Sequence, residues 1–468
     1  MENVFRGPDS IKNYLNPQNH TTPLIQLPQT INRYENEGIH IYAKLLQNLP
    51  LYNVKSIPAY NMITNENDST RIIVESSSGN TAYSLCVMGK VMGYPGMISY
   101  ASEEVGQGKL DMLRFFGSKV IINQEPICPN PNDKSSSINI AKKLGESEEY
   151  INFGQYENKH NPQGHYDYTG PQIYEQMEGE INYFCAGVGT TGTFLGTIEY
   201  LKEKNNKIES IGVVRKPNNP IPGPRTENLL NQISFNRSEK LDYLESVGTK
   251  RAYMQSLILS RNGIISGPSS GMNLEGVFQF IKNNYEKIID LKEKKGSINI
   301  VFVCCDLPFL YIKDYFKYLD EELFPDIKNK HLLKSFDIKN IEKNIQIDSK
   351  KFFNIFFKET NNSIWEKIKN KENIKTNINC ILIDIRNKKQ FKHFKIPNSI
   401  NIEPKDIEDY LTNKKNKEIY LICEYGGKSN EIASKLQNRG YNAYSIKGGT
   451  IEWSKLGLAR IKDDSCKI

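Results

Sequence analysis

An apolar run, Ile181–Phe184, leads into C-A-G-V-G-T-T-G-T-F-L-G (Cys185–Gly196), which continues as T-I-E-Y-L-K. A strand, a turn of glycines and threonines, then a helix: this order limits the possible folds more than any other stretch, because it builds an anion site. Glycines let the backbone approach closely, amide N–H groups point outward, and the helix dipole favours negative charge. Thr190, Thr191 and Thr193 add hydroxyl donors. The stretch reads as a phosphate cradle in an α/β protein. Gly187, Gly189 and Gly192 also satisfy G-x-G-x-x-G, the spacing of a dinucleotide fold. The next apolar run, Ile211–Val214, ends in Arg215 and Lys216 rather than an acid, which would suit a 2′-phosphate. An ordinary glycine-rich turn would look the same, so the loop alone leaves all three readings open.

At 468 residues the chain has room for two or three domains. Its 38% hydrophobic and 25% charged residues are those of a globular protein, and no apolar run reaches membrane-spanning length. The opening M-E-N-V-F-R-G-P-D-S lacks a signal-peptide core, so a cytoplasmic chain without a membrane partner is expected. The net charge of +7 is modest, and the lysines dense between Asp326 and Asn379 lack an accompanying aromatic-basic motif. No nucleic-acid partner is expected. Eight cysteines without C-x-x-C spacing argue against a disulfide scaffold and against a metal.

Earlier in the chain, L-P-L-Y-N-V-K-S-I-P-A-Y-N-M-I (Leu49–Ile63) sets Lys55 at the start of a helix whose first turn accommodates Pro58. Among Val54, Ile57 and Tyr60, this lysine is either a snorkelling surface residue or a desolvated amine ready to form a Schiff base. R-I-I-V-E-S-S-S-G-N-T (Arg71–Thr81) is a strand ending in a second small-residue loop, ahead of a helix over 82–92. Ser77, Ser78, Asn80 and Thr81 suit either helix capping or the holding of a carboxylate. Strands at 95–100 and 119–123 flank a helix over 108–116, and this alternation predicts a parallel, layered α/β architecture.

Four landmarks in register carry a resemblance: N-V-K ending at Lys55, S-S-G-N-T (Ser77–Thr81), G-V-G-T-T-G-T (Gly187–Thr193) and I-S-G-P-S-S-G (Ile265–Gly271). With Q-Y-E-N-K-H-N-P-Q-G-H-Y-D-Y-T-G-P-Q-I (Gln155–Ile173), they resemble the cysteine synthase/cystathionine β-synthase family of pyridoxal 5′-phosphate enzymes. The resemblance implies a two-subdomain fold of type II, tryptophan synthase β-like, over residues 1–326. It implies that Lys55 forms the Schiff base with pyridoxal 5′-phosphate and then moves the substrate α-proton. Gly189, Thr190, Thr191, Gly192 and Thr193 would hold the phosphate, and Asn80 the phenolic oxygen. Ser77, Ser78 and Thr81, with Gln155, would clamp the substrate carboxylate, and Ser269 would face the pyridine nitrogen. A serine there cannot keep that nitrogen protonated as an aspartate would, which suits early departure of a group on Cβ. A homodimer is also implied. The chain departs from the family at Ser56 and Ile57 (commonly Asp-Arg), at Thr191 (a glycine) and at Ala82 (a glycine). The run Ile298–Val303 reads as a buried strand entering Cys304–Cys305–Asp306, with both cysteines assigned to core packing.

A basic, asparagine-rich connector with amphipathic helices at 352–357 and 364–368 is expected over 327–378. Beyond it, residues 379–468 carry C-I-L-I-D-I-R (Cys380–Arg386), I-P-N-S-I-N-I (Ile396–Ile402), C-E-Y-G-G-K-S (Cys423–Ser429) and G-G-T-I-E-W (Gly448–Trp453). This resembles a rhodanese domain, a small α/β unit. Cys423 sits where a strand ends and a helix begins, where curled-loop amides lower a thiol's pKa and stabilise a persulfide. Lys428 replaces the frequent arginine, and Phe394 and Lys395 the usual Gly-His. The joint expectation is β-replacement or β-elimination on a serine- or cysteine-type amino acid, coupled to a sulfurtransferase, with sulfide or thiosulfate-type co-substrates. Cysteine synthase is favoured over cysteine desulfhydrase by the family label. A non-catalytic, sulfur-metabolite binding protein is the rival that Lys55 and Cys423 oppose.

Overall fold

A computed structural model describes residues 4–126, 128–230, 240–328 and 345–462. The chain divides into two compact units, Met1–Pro325 and Asp326–Ile468.

The first unit is built on two sheets. One has the order β1 (Leu24–Gln26), β2 (Ile39–Leu45), β10 (Ile298–Cys304), β7 (Tyr183–Gly187), β8 (Glu209–Arg215), β9 (Tyr243–Val247). Only the β1–β2 pair is antiparallel. The other is fully parallel, in the order β5 (Lys119–Asn123), β4 (Met97–Ser102), β3 (Ile72–Ser76), β6 (Tyr150–Ile151). Strands covered on both faces need apolar side chains on both, and β10 is buried at every position but Asn299. Alternation along the strands divides that apolar set. Tyr183, Cys185, Ile300 and Phe302 enter one core with Phe280, while Phe184, Ala186, Val301 and Val303 enter another with Phe194. The parallel order points the carboxyl ends of β3 and β7 into loops that open the helices Asn80–Val91 and Gly192–Lys204. Ligands of parallel α/β sheets bind at such ends.

The second unit holds a parallel five-stranded sheet. Its order is β11 (Gln346–Ile347), β16 (Asn442–Ile446), β15 (Glu418–Ile422), β12 (Cys380–Asp384), β14 (Ile400–Asn401). A short antiparallel pair joins β13 (Phe394–Lys395) to β17 (Ile461–Lys462). The expected separate connector is not what the described residues show. Gln346 pairs with Ser445, and the helix Ser349–Phe357 buries Phe352, Phe353, Phe356 and Phe357 in one core with Tyr420 and Trp453. Those phenylalanines share one helical face, while Lys350 and Lys351 take the solvent side, so the lysine density marks a surface and not a linker. The part of the expected connector over 329–344 lies outside the described residues.

Candidate active site

Asn53 builds the lysine turn. Its Oδ1 accepts from Lys55 N (2.9 Å) and Ser84 Oγ (3.2 Å), and its Nδ2 donates to Leu51 O at 2.6 Å. Ser56 Oγ donates to Asn53 O at 2.7 Å, so the serine at this departure from the family braces the turn. Lys55 thereby caps the helix Ser56–Thr64, and its Nζ donates to Thr190 Oγ1 at 3.5 Å. Burial holds the Lys55 amine below the usual lysine range. The neighbouring Cys305 thiol, pushed up to about 12 by burial, is neutral at neutral pH and supplies no balancing anion. Lowering its pKa favours the free amine, the form that attacks a carbonyl and takes up a proton.

The loop after β7 needs its glycines for close approach. A Cβ on Gly189 would lie 2.6 Å from Gly223 O, and one on Gly192 only 2.0 Å from Asn161 Oδ1. Thr191 caps the following helix with φ 71°. Thr190 Oγ1 accepts from Asn161 Nδ2 at 3.1 Å, and Thr193 Oγ1 pairs with His165 Nε2 at 3.1 Å. His165 is fully buried, which holds its pKa well below the ordinary value, and its Nδ1 pairs with Thr169 Oγ1 at 2.9 Å. Thr191 Oγ1 and Asn161 Oδ1 are buried without any hydrogen-bond partner.

The loop after β3 forms the facing wall. Thr81 Oγ1 donates to Gln155 Oε1 at 2.8 Å, and Gln155 Nε2 donates to Ser76 O at 3.1 Å. Asn80 Nδ2 donates to Asp306 Oδ2 at 2.7 Å, as does the Tyr311 hydroxyl at 2.6 Å. A Cβ on Gly267 would meet Asp306 Oδ1 at 2.2 Å, which accounts for glycine in I-S-G-P-S-S-G.

One cleft of about 1260 Å³ gathers most of the expected residues. Lys55, Ser77, Ser78, Asn80 and Thr81 line it from one side, with Gln155, Gly189, Thr190, Thr193 and Ser269 completing the wall. Thr191 and Gly192 stand behind that lining, at the helix start. Cys304 packs in the core, but Cys305 faces the cleft, because successive strand residues point to opposite sides. Cys305 also packs against the core that holds Phe184 and Val301. Arg215 donates to Pro224 O (3.2 Å) and Asn219 O (3.4 Å), so it braces its own loop. Sequence reasoning missed Asn161, His165, Lys109, Tyr156, Arg225 and Asp306. Asn161 and His165 sit four apart on one helix face inside the stretch that carried the resemblance, which was a usable signal.

In the second unit, Cys423 is 6% exposed and its Sγ accepts from Gly426 N at 3.2 Å and Ser429 N at 3.4 Å. Gly426 has φ 89° and Gly449 φ 60°. A Cβ on Gly449 would lie 2.2 Å from Cys423 O, so this loop closes only around a glycine. Lys428 is exposed on the loop. Phe394 O accepts from Arg386 Nη2 at 2.6 Å, and Arg386 pairs with the fully buried Asp384.

A family model described as pyridoxal-phosphate dependent enzyme matches residues 15–306, and one described as rhodanese-like domain matches 361–456. Cysteine synthase B of Pseudomonas aeruginosa is 30% identical over 209 residues, covering 44% of this chain and 67% of that protein. Cystathionine beta-synthase of Apis mellifera is 30% identical over 303 residues, covering 60% of this chain and 57% of that protein. Among solved structures, cysteine synthase from Entamoeba histolytica is similar with TM-score 0.52 and 24% identity, over 66% of this chain and 91% of that one. A hydrogen sulfide-producing enzyme from Fusobacterium nucleatum gives TM-score 0.53 and 23% identity, over 62% and 94% respectively. Both share the fold. With a lysine turn, a glycine–threonine loop and a serine-rich loop converging on one cleft, the chain belongs to the pyridoxal-phosphate dependent enzymes, on the side of the cysteine synthases and cystathionine beta-synthases, and carries a rhodanese-like domain.

Proposed function

We propose that the first unit catalyses β-replacement on a serine-type amino acid, with cysteine as product, and that Cys423 of the second carries sulfane sulfur. The carrying observation is the meeting of Lys55 Nζ and Thr190 Oγ1 at 3.5 Å, which joins the lysine turn to the phosphate loop. The residues fit pyridoxal phosphate: the Thr191 hydroxyl is buried without a hydrogen-bond partner beside a turn whose glycines leave room for no side chain. When bound, that cofactor supplies an electron sink for the charge that develops at Cα.

The chain's own residues do the rest. Lys55 Nζ is the amine for covalent attachment of the cofactor, and its lowered pKa suits it to take and return the α-proton. Gly189 to Thr193 offer amides and hydroxyls to the phosphate at a helix N-terminus. Asn80 keeps one N–H, beyond its bond to Asp306, for the phenolic oxygen. Ser77, Ser78 and Gln155 address the substrate carboxylate, with Thr81 orienting that glutamine. Ser269, which lines the cleft, would offer the ring nitrogen a hydroxyl and not a carboxylate. Around Cys423, two amides aimed at Sγ suit that position to carry transferred sulfur. The cysteine synthase relatives favour synthesis; sulfide release from cysteine is the alternative direction.

Product analysis decides between them. O-acetylserine plus sulfide should yield cysteine, and Lys55→Ala should abolish both turnover and the visible band of attached cofactor. Pyruvate and sulfide from cysteine alone would establish the alternative, and no product from either mixture would sink both. Thiosulfate-dependent persulfide labelling should vanish in Cys423→Ser; its persistence would remove Cys423 as the carrier.

A further inference from the structure

Thr193 can donate to a phosphate only if its single hydroxyl hydrogen is free, and a buried histidine behind it decides that. Asn161 and His165 are both buried, four apart on the helix His160–Asp167, and face the phosphate loop from behind. Asn161 Nδ2 meets Thr190 Oγ1 and His165 Nε2 meets Thr193 Oγ1, each at 3.1 Å, and both threonines line the cleft. Glycines set this close approach: a Cβ on Gly196 would lie 2.0 Å from Pro162 O, and one on Gly192 2.0 Å from Asn161 Oδ1. The direction of each bond fixes what its threonine can do, because an ionised phosphate oxygen only accepts.

At Asn161 the direction is settled. Its Nδ2 also donates to Gln155 O at 2.7 Å, and a carbonyl only accepts, so the amide nitrogen and not the oxygen lies on that side. The second N–H reaches Thr190 Oγ1, which leaves the Thr190 hydrogen free for the cleft. At His165 two orders fit the distances. Nδ1 meets Thr169 Oγ1 at 2.9 Å, and burial with the Lys55 amine nearby keeps the ring neutral, so one nitrogen donates while the other accepts. If Nδ1 donates, the Thr169 hydroxyl accepts, and its own hydrogen is left fully buried with no other partner among the described residues. Thr193 would then spend its hydrogen on Nε2. If Nε2 donates, the Thr169 hydrogen goes to Nδ1, and the Thr193 hydrogen is released to the cleft. The second order leaves no buried hydrogen unused.

We propose that His165 is a positioning residue: as the neutral Nε2–H tautomer it turns the Thr193 hydroxyl into the cleft as a donor to the cofactor phosphate. This rests on the seating of that phosphate at Gly189 to Thr193 given above. Hydrogens then point one way along the row, from Thr169 O–H to His165 Nδ1, from His165 Nε2–H to Thr193 Oγ1, and from Thr193 O–H to the phosphate. Bonds aligned in this way polarise one another, and the last ends on a charged acceptor, where a hydrogen bond is strongest. No proton is transferred, and the ring adds no charge of its own beside Lys55. Asn161 does for Thr190 what His165 does for Thr193, without a choice of tautomer.

Nitrogen NMR on the full chain, labelled at the histidine ring nitrogens and loaded with pyridoxal phosphate, reads the tautomer directly. The His165 signals are those lost in His165→Gln. Nε2 should carry the proton; a proton on Nδ1, or on both nitrogens, overturns the proposal. Absorbance titrations with pyridoxal phosphate then measure the consequence. Thr193→Val should weaken binding about 10–100-fold, the loss of one hydrogen bond to a charged group. His165→Leu should weaken it by a similar factor, and His165→Gln, whose amide N–H stands in for Nε2–H, should restore most of the affinity. In a Thr193→Val background, His165→Leu should cost a further factor under about 3. Equal losses in His165→Leu and His165→Gln, or an undiminished loss in that background, would give His165 a merely structural role and overturn the proposal. Should His165→Leu fail to fold, Thr169→Val, which keeps the ring but removes the donor to Nδ1, takes its place, and wild-type affinity there overturns the proposal. If Thr193→Val binds pyridoxal phosphate as the wild type does, the phosphate seating itself has failed, and the proposal with it.

Discussion

Thr191→Gly should move stability and cofactor affinity in opposite directions. Thr191 sits at φ 71°, ψ −14°, in the left-handed region that β-branched side chains resist. Holding an L-residue there costs about 1–2 kcal/mol. Its hydroxyl is 2% exposed and unpartnered in the cofactor-free protein, a burden of about 1–3 kcal/mol. Glycine removes both, and gives back about 1 kcal/mol through the greater freedom of its unfolded chain and a further ~1 kcal/mol for the lost methyl. The cofactor-free variant should come out between equally stable and about 3 kcal/mol more stable in denaturant unfolding at 25 °C. The same hydroxyl is the proposed donor to a phosphate, and a hydrogen bond to a charged group contributes about 1.5–3 kcal/mol. Pyridoxal phosphate should therefore bind the variant about 10–100-fold more weakly in an absorbance titration. A less stable cofactor-free variant would refute the strain argument. Unaltered affinity would show that Thr191 Oγ1 never meets the phosphate.

Two further outcomes follow from buried groups near the loops. Glu75, at the end of β3, accepts from Gly154 N at 3.1 Å, and burial raises its pKa from 4.5 to about 8. The folded state then holds a proton that the unfolded chain releases between pH 4.5 and about 8, so stability falls as pH rises through that window. Glu75→Gln should flatten this slope in unfolding midpoints measured from pH 5 to pH 9; a wild-type slope in the variant would show that Glu75 is not its source. Gly449→Ala places a methyl 2.2 Å from Cys423 O at φ 60°, and should destabilise the second unit by roughly 3 kcal/mol. Wild-type thermal unfolding together with full persulfide labelling would contradict the loop packing described.

The alternation of strands and helices and the small-residue loops were readable because each is local. Ser77 to Thr81 and Gly189 to Thr193 each announce a strand-to-helix turn without help from elsewhere. What escaped was the pairing between distant segments. Asp306 gains meaning only from Asn80 and Gly267. The positive φ of Thr191 escaped for a different reason: a β-branched residue gives no warning of it. Cys305 was paired with Cys304 by adjacency in the chain, whereas strand alternation sends the two thiols to opposite sides. The lysines of the expected connector masked a spacing of phenylalanines, at Phe352, Phe353, Phe356 and Phe357, that is the pattern of a buried helical face.

That aromatic helix determines where the rhodanese-like unit can be cut from the rest. A fragment begun at residue 379 would leave Trp453 and Tyr420 without their four phenylalanine neighbours, and would also strip Gln346–Ile347 from the edge beside β16. At roughly 3–5 kcal/mol for each large aromatic removed from a core, the loss matches or exceeds the about 5–15 kcal/mol that keep a domain folded. A fragment begun just before Ile345 retains the whole set. Any truncation, transplant or fusion joint intended to keep Cys423 in a folded carrier belongs upstream of that residue.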